Sequence, residues 1–128
     1  MSEAYIIDAV RTPRGIGKAG KGALASLHPQ YLAATVMKAL VDRNGIDSAD
    51  IDDVIRGTSA QMDLQGGEMG RMAALDAGFD VRVSGVTLDR FCGSGLTAVN
   101  LAAGQIGSRA EDLLIAGGMT PAIIIERV

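Results

Sequence analysis

Four short apolar runs alternate with three helix-like stretches, and this rhythm restricts the possible folds more than any other property of the chain. Ala4-Tyr5-Ile6-Ile7-Asp8-Ala9-Val10 reads as a mostly buried strand, stopped by Arg11-Thr12-Pro13. Residues 31–43 predict a helix, because Leu32, Val36 and Leu40 recur at every fourth position with Ala33 and Met37 beside them. Asn44-Gly45 is its stop signal. Asp47-Ser48-Ala49-Asp50 reads as a short capped turn, and Asp53-Val54-Ile55-Arg56-Gly57 as a second strand. Gly66-Gly67 leads into a second helix over residues 68–77, ended by Gly78. A third strand over residues 83–88 precedes a third helix over 96–106. Leu113-Leu114-Ile115-Ala116 is a fourth strand, closed by Gly117-Gly118. The order β-α-β-α-β-α-β, with near-continuous apolar strands, predicts an α/β fold on a mixed, mainly parallel sheet with right-handed crossovers. Leu96, Ala98, Val99, Leu101, Ala102, Ala103 and Ile106 leave the third helix almost no polar face, so it is expected to be buried on all sides.

Bulk properties narrow the function classes. At 128 residues and 48% apolar, the chain is long and apolar enough for one globular core. A net charge of −3 without a basic cluster argues against nucleic-acid binding. A single cysteine cannot form an internal disulfide, which suits a reducing compartment. Residues 1–9 lead straight into the first strand and leave no room for a signal peptide, and no apolar run reaches membrane-spanning length. The expectation is a cytoplasmic protein without membrane partners.

That cysteine is Cys92, in Asp89-Arg90-Phe91-Cys92-Gly93-Ser94-Gly95-Leu96. It falls between the third strand and the third helix, on a sharp turn at or just before a helix N-terminus. Unpaired N–H groups and the positive end of the helix dipole favour a thiolate there. The flanking glycines let a substrate carbonyl approach the backbone closely. The competing reading is a small buried hydrophobe, the usual state of a lone cysteine.

Other features are weaker. Gly15-Ile16-Gly17-Lys18-Ala19-Gly20-Lys21-Gly22 matches G-x-G-x-x-G and also G-x-x-x-x-G-K. A dinucleotide fingerprint must turn directly from strand into helix, yet Arg11-Thr12-Pro13-Arg14 intervene and Pro29 cuts off a long helix from Gly22. A P-loop needs Ser or Thr where Gly22 stands, so a mobile loop is expected. His28, the one histidine, reads as a turn residue before the first helix rather than as a partner of Cys92. The pairs Asp52-Asp53 and Glu111-Asp112 read as solvated turns at strand starts, and no spacing suggests a metal site.

Four pieces together carry a resemblance: residues 4–13, Ile51-Asp52-Asp53-Val54-Ile55-Arg56-Gly57, residues 85–96 around Cys92-Gly93-Ser94-Gly95, and Asp112-Leu113-Leu114-Ile115-Ala116-Gly117-Gly118-Met119. In this order and spacing the chain resembles the N-terminal half of the thiolases, the acyl-CoA acetyltransferase family. The resemblance implies two similar βαβαβαββ halves packed in αβαβα layers, with the third helix in the central layer. It implies that Cys92 takes the acyl group from an acyl-CoA, that its backbone N–H helps form an oxyanion hole, and that Gly93, Ser94 and Gly95 form the supporting turn. Coenzyme A thioesters would be substrates, with no permanently bound cofactor. Partners would be a second copy, giving a homo-oligomer, or a complementary C-terminal thiolase chain. Met62, Met69 and Met72 are expected to line a packing face or, by the resemblance, a region near a dimer interface.

The chain departs from the family pattern after Met119. Thiolases typically continue Glu-Ser-Met-Ser, whereas this chain has Thr120-Pro121-Ala122. Residues 1–119 therefore read as an incomplete N-terminal half-domain, and 120–128 as a divergent tail in place of the loop domain. The tail ends on an apolar run without a stop signal, as if cut. The Gly-His-Pro histidine, the Asn-Glu-Ala-Phe asparagine and the second, Cys-x-Gly, cysteine belong to the family's C-terminal half. The expected function is the N-terminal part of a thiolase, acylated on Cys92 for Claisen condensation or thiolysis, as in fatty-acid β-oxidation, and catalytically incomplete by itself. The alternative is a non-catalytic truncated or split half acting through a partner chain, and a nucleotide-binding domain is weaker still.

Overall fold

The computed structural model describes residues 2–16, 18–119 and 121–127. The elements are β1 (Ala4–Arg11), α1 (Pro29–Asn44), β2 (Asp53–Gly57), α2 (Met69–Asp76), β3 (Ser84–Leu88), α3 (Ser94–Ser108), β4 (Leu113–Gly117) and β5 (Pro121–Arg127). This is the βαβαβαββ order that the resemblance implied for one half. The strands form one sheet in the order β1-β5-β4-β2-β3. The pairs β2–β3 and β2–β4 are parallel, while β1–β5 and β4–β5 are antiparallel. The sheet is mixed as expected, with its parallel part confined to β4-β2-β3 and the antiparallel part brought by β5. The tail thus supplies a strand inside the sheet, with Ile124 and Ile125 buried.

Side-chain alternation divides the core into two layers. Val54, Ile115 and Ile124 face α1 and α2, against Ala33, Val36, Met37, Leu40, Ala73 and Ala74. Ile55, Leu114, Ala116 and Ile125 face α3, against Ala98, Ala102 and Ile106. Each of these central strands is buried on both faces, which is why the sequence shows apolar runs rather than alternation.

Local signals fix the helix ends. His28 caps α1, its Nδ1 accepting the Gln30 N–H at 3.2 Å, and Pro29 fills the first helical position, where no amide donor is needed. Gly45 ends α1 at φ 62°, in the left-handed region. Glu68 caps α2 through the Gly70 and Arg71 amides. Asp47 caps the turn Ser48–Asp50, as read from sequence.

Two burial expectations fail. β1 forms where predicted but is largely exposed, with Tyr5, Ile6 and Ile7 in solvent. It is an edge strand paired only with β5; α1 packs on both, yet of the apolar β1 residues only Val10 joins the core. Only one face of α3 is buried: Ala98, Ala102 and Ile106 are inside, whereas Leu96 is 70% and Leu101 50% exposed. A single layer on one side of a sheet can cover just one side of an apolar helix. Of the three methionines, Met69 is buried, while Met62 and Met72 are exposed.

Candidate active site

The parallel strands β4, β2 and β3 end side by side at Gly117, Gly57 and Leu88. The α3 N-terminus is set against these ends, the edge where open α/β sheets place ligands. Glycine makes the approach possible. A Cβ on Gly57 would lie 2.4 Å from the Ser94 carbonyl carbon and 2.7 Å from the Gly95 nitrogen. A Cβ on Gly95 would lie 3.1 Å from Gly118 Cα. The start of α3 therefore rests directly on the backbones of β2 and of the turn after β4.

Residues 89–93 make the turn from β3 into this helix. Phe91 has φ 48°, left-handed for a non-glycine residue. Its N–H donates to Asp89 Oδ1 at 2.9 Å. Gly93 N–H donates to the Arg90 carbonyl at 3.0 Å, and Ser94 N–H to the Phe91 carbonyl at 3.1 Å. Cys92 is exposed, which removes the buried-hydrophobe reading. It lies two residues before the first helical residue; Gly93 is the N-cap and provides no side-chain cap. Gly93, Ser94 and Gly95 therefore form the N-cap and first turn of α3, with Ser94 buried and Gly95 on Gly118.

The segment after β2 flanks this turn. Thr58 N–H donates to the Leu88 carbonyl at 3.0 Å. Gln61 N–H reaches Asp89 Oδ2 at 3.4 Å. Arg56, buried in the centre of the sheet, donates to the Met119 carbonyl at 2.7 Å and so supports the turn after β4. Burial lowers its pKa to about 10. Nothing in the sequence reading singled out Arg56, Thr58 or Asp89. The available signal for Arg56 is a charge directly after the apolar Val54-Ile55 pair and before Gly57-Thr58.

The remaining sequence features take structural roles. His28 is engaged in capping α1. In the region of the glycine-rich loop, Gly22 N–H donates to the Lys18 carbonyl and Leu24 N–H to the Ile16 carbonyl. The first helix starts only at Pro29, so this loop lacks the strand-to-helix geometry of a phosphate cradle. Asp52 Oδ2 accepts the Asp112 and Leu113 amides at 2.8 and 3.0 Å, and Asp53 Oδ1 accepts the Ser84 hydroxyl at 2.8 Å. Burial, with Asp53 and Asp52 nearby, raises the pKa of Glu111. Among the described residues, no group of three His, Cys, Asp or Glu side chains is placed to hold a metal ion. No described helix is long and apolar enough to cross a membrane.

Fold and turn together define an α/β domain with an exposed cysteine at the carboxyl edge of its parallel strands. The chain belongs to the thiolase family: the family model described as "Thiolase, N-terminal domain" matches residues 4–121. It is 46% identical over 119 residues to the steroid 3-ketoacyl-CoA thiolase FadA6 of Mycobacterium tuberculosis, covering 93% of this chain and 28% of that protein. It is 47% identical over 120 residues to the 3-oxoadipyl-CoA/3-oxo-5,6-dehydrosuberyl-CoA thiolase of Escherichia coli, covering 93% of this chain and 29% of that protein. The crystal structure of the Bacillus anthracis acetyl-CoA acetyltransferase superposes with a TM-score of 0.82 at 37% identity, over 92% of this chain and 29% of that one. The chain thus spans less than a third of the length of these relatives.

Proposed function

We propose that this chain is the nucleophile-bearing part of an acyl-CoA acetyltransferase and that Cys92 forms the acyl-enzyme. The observation that carries this reading is the exposed thiol on a fixed turn at the carboxyl edge of β4-β2-β3. The Cys92 sulfur attacks the thioester carbonyl of an acyl-CoA, and a sulfur–carbon bond forms. The carbonyl oxygen becomes an oxyanion, stabilised by backbone donors that include the Cys92 N–H. The oxyanion collapses, the bond to the coenzyme A sulfur breaks, and the proton lost by Cys92 ends on the coenzyme A thiol. A second nucleophile then takes the acyl group, in condensation or thiolysis. Coenzyme A thioesters are the substrates, and no resident cofactor is required.

Turnover needs more than these residues. The chain holds one cysteine and one histidine, and His28 is occupied as a helix cap. The base that takes the Cys92 proton in a complete enzyme and the second cysteine come from the C-terminal part of the fold. A second reading, a half that works only through a partner chain, is favoured by the outward Leu96 and Leu101 of α3.

Intact-mass analysis after incubation with acetyl-CoA tests the first reading. One acetyl group per chain, absent in Cys92→Ser, is expected, without steady-state thiolysis of acetoacetyl-CoA. No transfer to Cys92, or equal labelling of the Cys92→Ser variant, would overturn it.

A further inference from the structure

Phe91, the residue before Cys92, is held in an unfavourable conformation, and its own side chain does not hold it there. Its φ of 48° lies in the left-handed region, which is unfavourable for a non-glycine residue. Phe91 as a whole is 77% exposed, so packing supplies little compensation. The conformation is held through hydrogen bonds to the two peptide units around Phe91, and two side chains supply the links that the backbone cannot. Asp89 Oδ1 accepts the Phe91 N–H at 2.9 Å. Ser94 Oγ accepts the Arg90 N–H at 2.8 Å and lies 2.6 Å from the Phe91 carbonyl, to which it donates its single proton. The Thr58 carbonyl, at 3.2 Å, is the longer alternative acceptor.

Ser94 is 4% exposed and stands on the immovable side of this arrangement. Its backbone is pressed on Gly57 of β2, closer than a Cβ would permit. Its hydroxyl therefore ties the free turn to the fixed start of α3. Asp89 is exposed and closes the turn from the other end.

We propose that Ser94 and Asp89 are positioning residues for Cys92: together they lock the left-handed Phe91 so that the thiol is presented at a fixed point above the N-terminus of α3. This rests on the reading of Cys92 as the acylated nucleophile. The carboxylate acts here as the acceptor of a backbone amide hydrogen bond, which its charge strengthens.

The test is the second-order rate of iodoacetamide alkylation at pH 7, for the whole chain and for a free peptide of residues 89–95. The wild-type chain is expected to react about two- to fivefold faster than the peptide, the size of a helix-terminus interaction. Ser94→Ala and Asp89→Ala are expected to fall to the peptide's rate with unchanged far-UV circular dichroism. Ser94→Thr and Asp89→Asn, which keep an acceptor oxygen for the Arg90 and Phe91 amides, are expected to restore most of the difference. Should Ser94→Ala fail to fold, the exposed Asp89 pair decides alone. A wild-type rate equal to the peptide's, or alanine variants as fast as wild type, overturns the proposal. Acetyl-CoA transfer measured on the same samples separates the two readings. Absent transfer with a rate loss in the alanine variants sinks acylation and leaves positioning intact, whereas transfer with no rate loss does the reverse.

Discussion

Replacing Gly57 by alanine adds one methyl group, and the structure says where it goes. The new Cβ would meet the Ser94 carbonyl carbon at 2.4 Å, its oxygen at 2.5 Å and the Gly95 nitrogen at 2.7 Å. Carbon atoms pack comfortably at about 3.5–4.0 Å, so the start of α3 must retreat by roughly 1 Å. The obstacle is backbone, which cannot swing aside as a long side chain does. Overpacking of this kind costs about 1–3 kcal/mol, and the upper end applies here. Domains are stable by only about 5–15 kcal/mol in total. Gly104→Ala is the internal control. Gly104 is exposed in the middle of α3, and a Cβ there meets nothing within 4 Å. Alanine in a helix interior is favoured over glycine by about 1 kcal/mol, so this variant is expected to gain that much. The same substitution, made twice, should shift stability in opposite directions by a combined difference of about 4 kcal/mol. Urea unfolding followed by circular dichroism, at matched protein concentration, measures both. With a slope of about 1–3 kcal/mol/M, Gly57→Ala should lower the midpoint by at least about 1 M. A Gly57→Ala variant within about 0.5 kcal/mol of wild type would refute the direct seating of α3 on β2. A destabilised Gly104→Ala would refute the open surroundings of that position.

Two further outcomes follow from surface features. Leu96 and Leu101 stand outward on α3, and burying such a side chain is worth roughly 1.5–3 kcal/mol; the chain is therefore expected to self-associate at micromolar concentration in sedimentation velocity, and Leu101→Lys to shift it toward monomer, whereas a monomeric wild type would contradict the prediction. The pKa of Asp8 is lowered from 3.8 by its bond from the Asn44 side chain, then by the Ala9 amide and by Arg43. Because the folded state holds the ionised form, this contribution is complete above the ordinary carboxylate range and is lost as pH falls through the lowered value. Melting temperatures between about pH 5 and pH 2 should therefore fall less steeply in Asp8→Asn than in wild type, and an identical slope would remove Asp8 from the acid response.

Much of this molecule was legible from the chain, because local chemistry set it. Apolar runs mark β2, β3 and β4, with glycine closing β2 and β4, and the stop at Asn44-Gly45 is the left-handed cap of α1. His28 reads as a turn residue and caps α1; residues 47–50 read as a short capped turn, and Asp47 is its cap. Cys92 was placed on a strand-to-helix turn, and the turn is there. These features depend on neighbours a few residues away, and a sequence displays such neighbours directly.

The rest depended on contacts between distant segments. Residues 121–127 carry no local sign that they lie between β1 and β4, since strand order is decided by which edges meet. β1 has the composition of a buried strand yet is largely exposed, because it stands at the sheet edge and only Val10 of its apolar residues packs on the core. α3 has an apolar composition that suits cover on every side, but one sheet covers only Ala98, Ala102 and Ile106. The role of Ser94 was equally hidden. Its hydroxyl matters because Gly57, far away in the chain, has no side chain and lets the helix start rest on β2, where Ser94 can reach back to Arg90 and Phe91. The sequence by itself determined that a cysteine would stand at a turn between strand and helix; only the tertiary structure decided how that turn is held, because the holding contacts join residues that are neighbours in space and not in the chain.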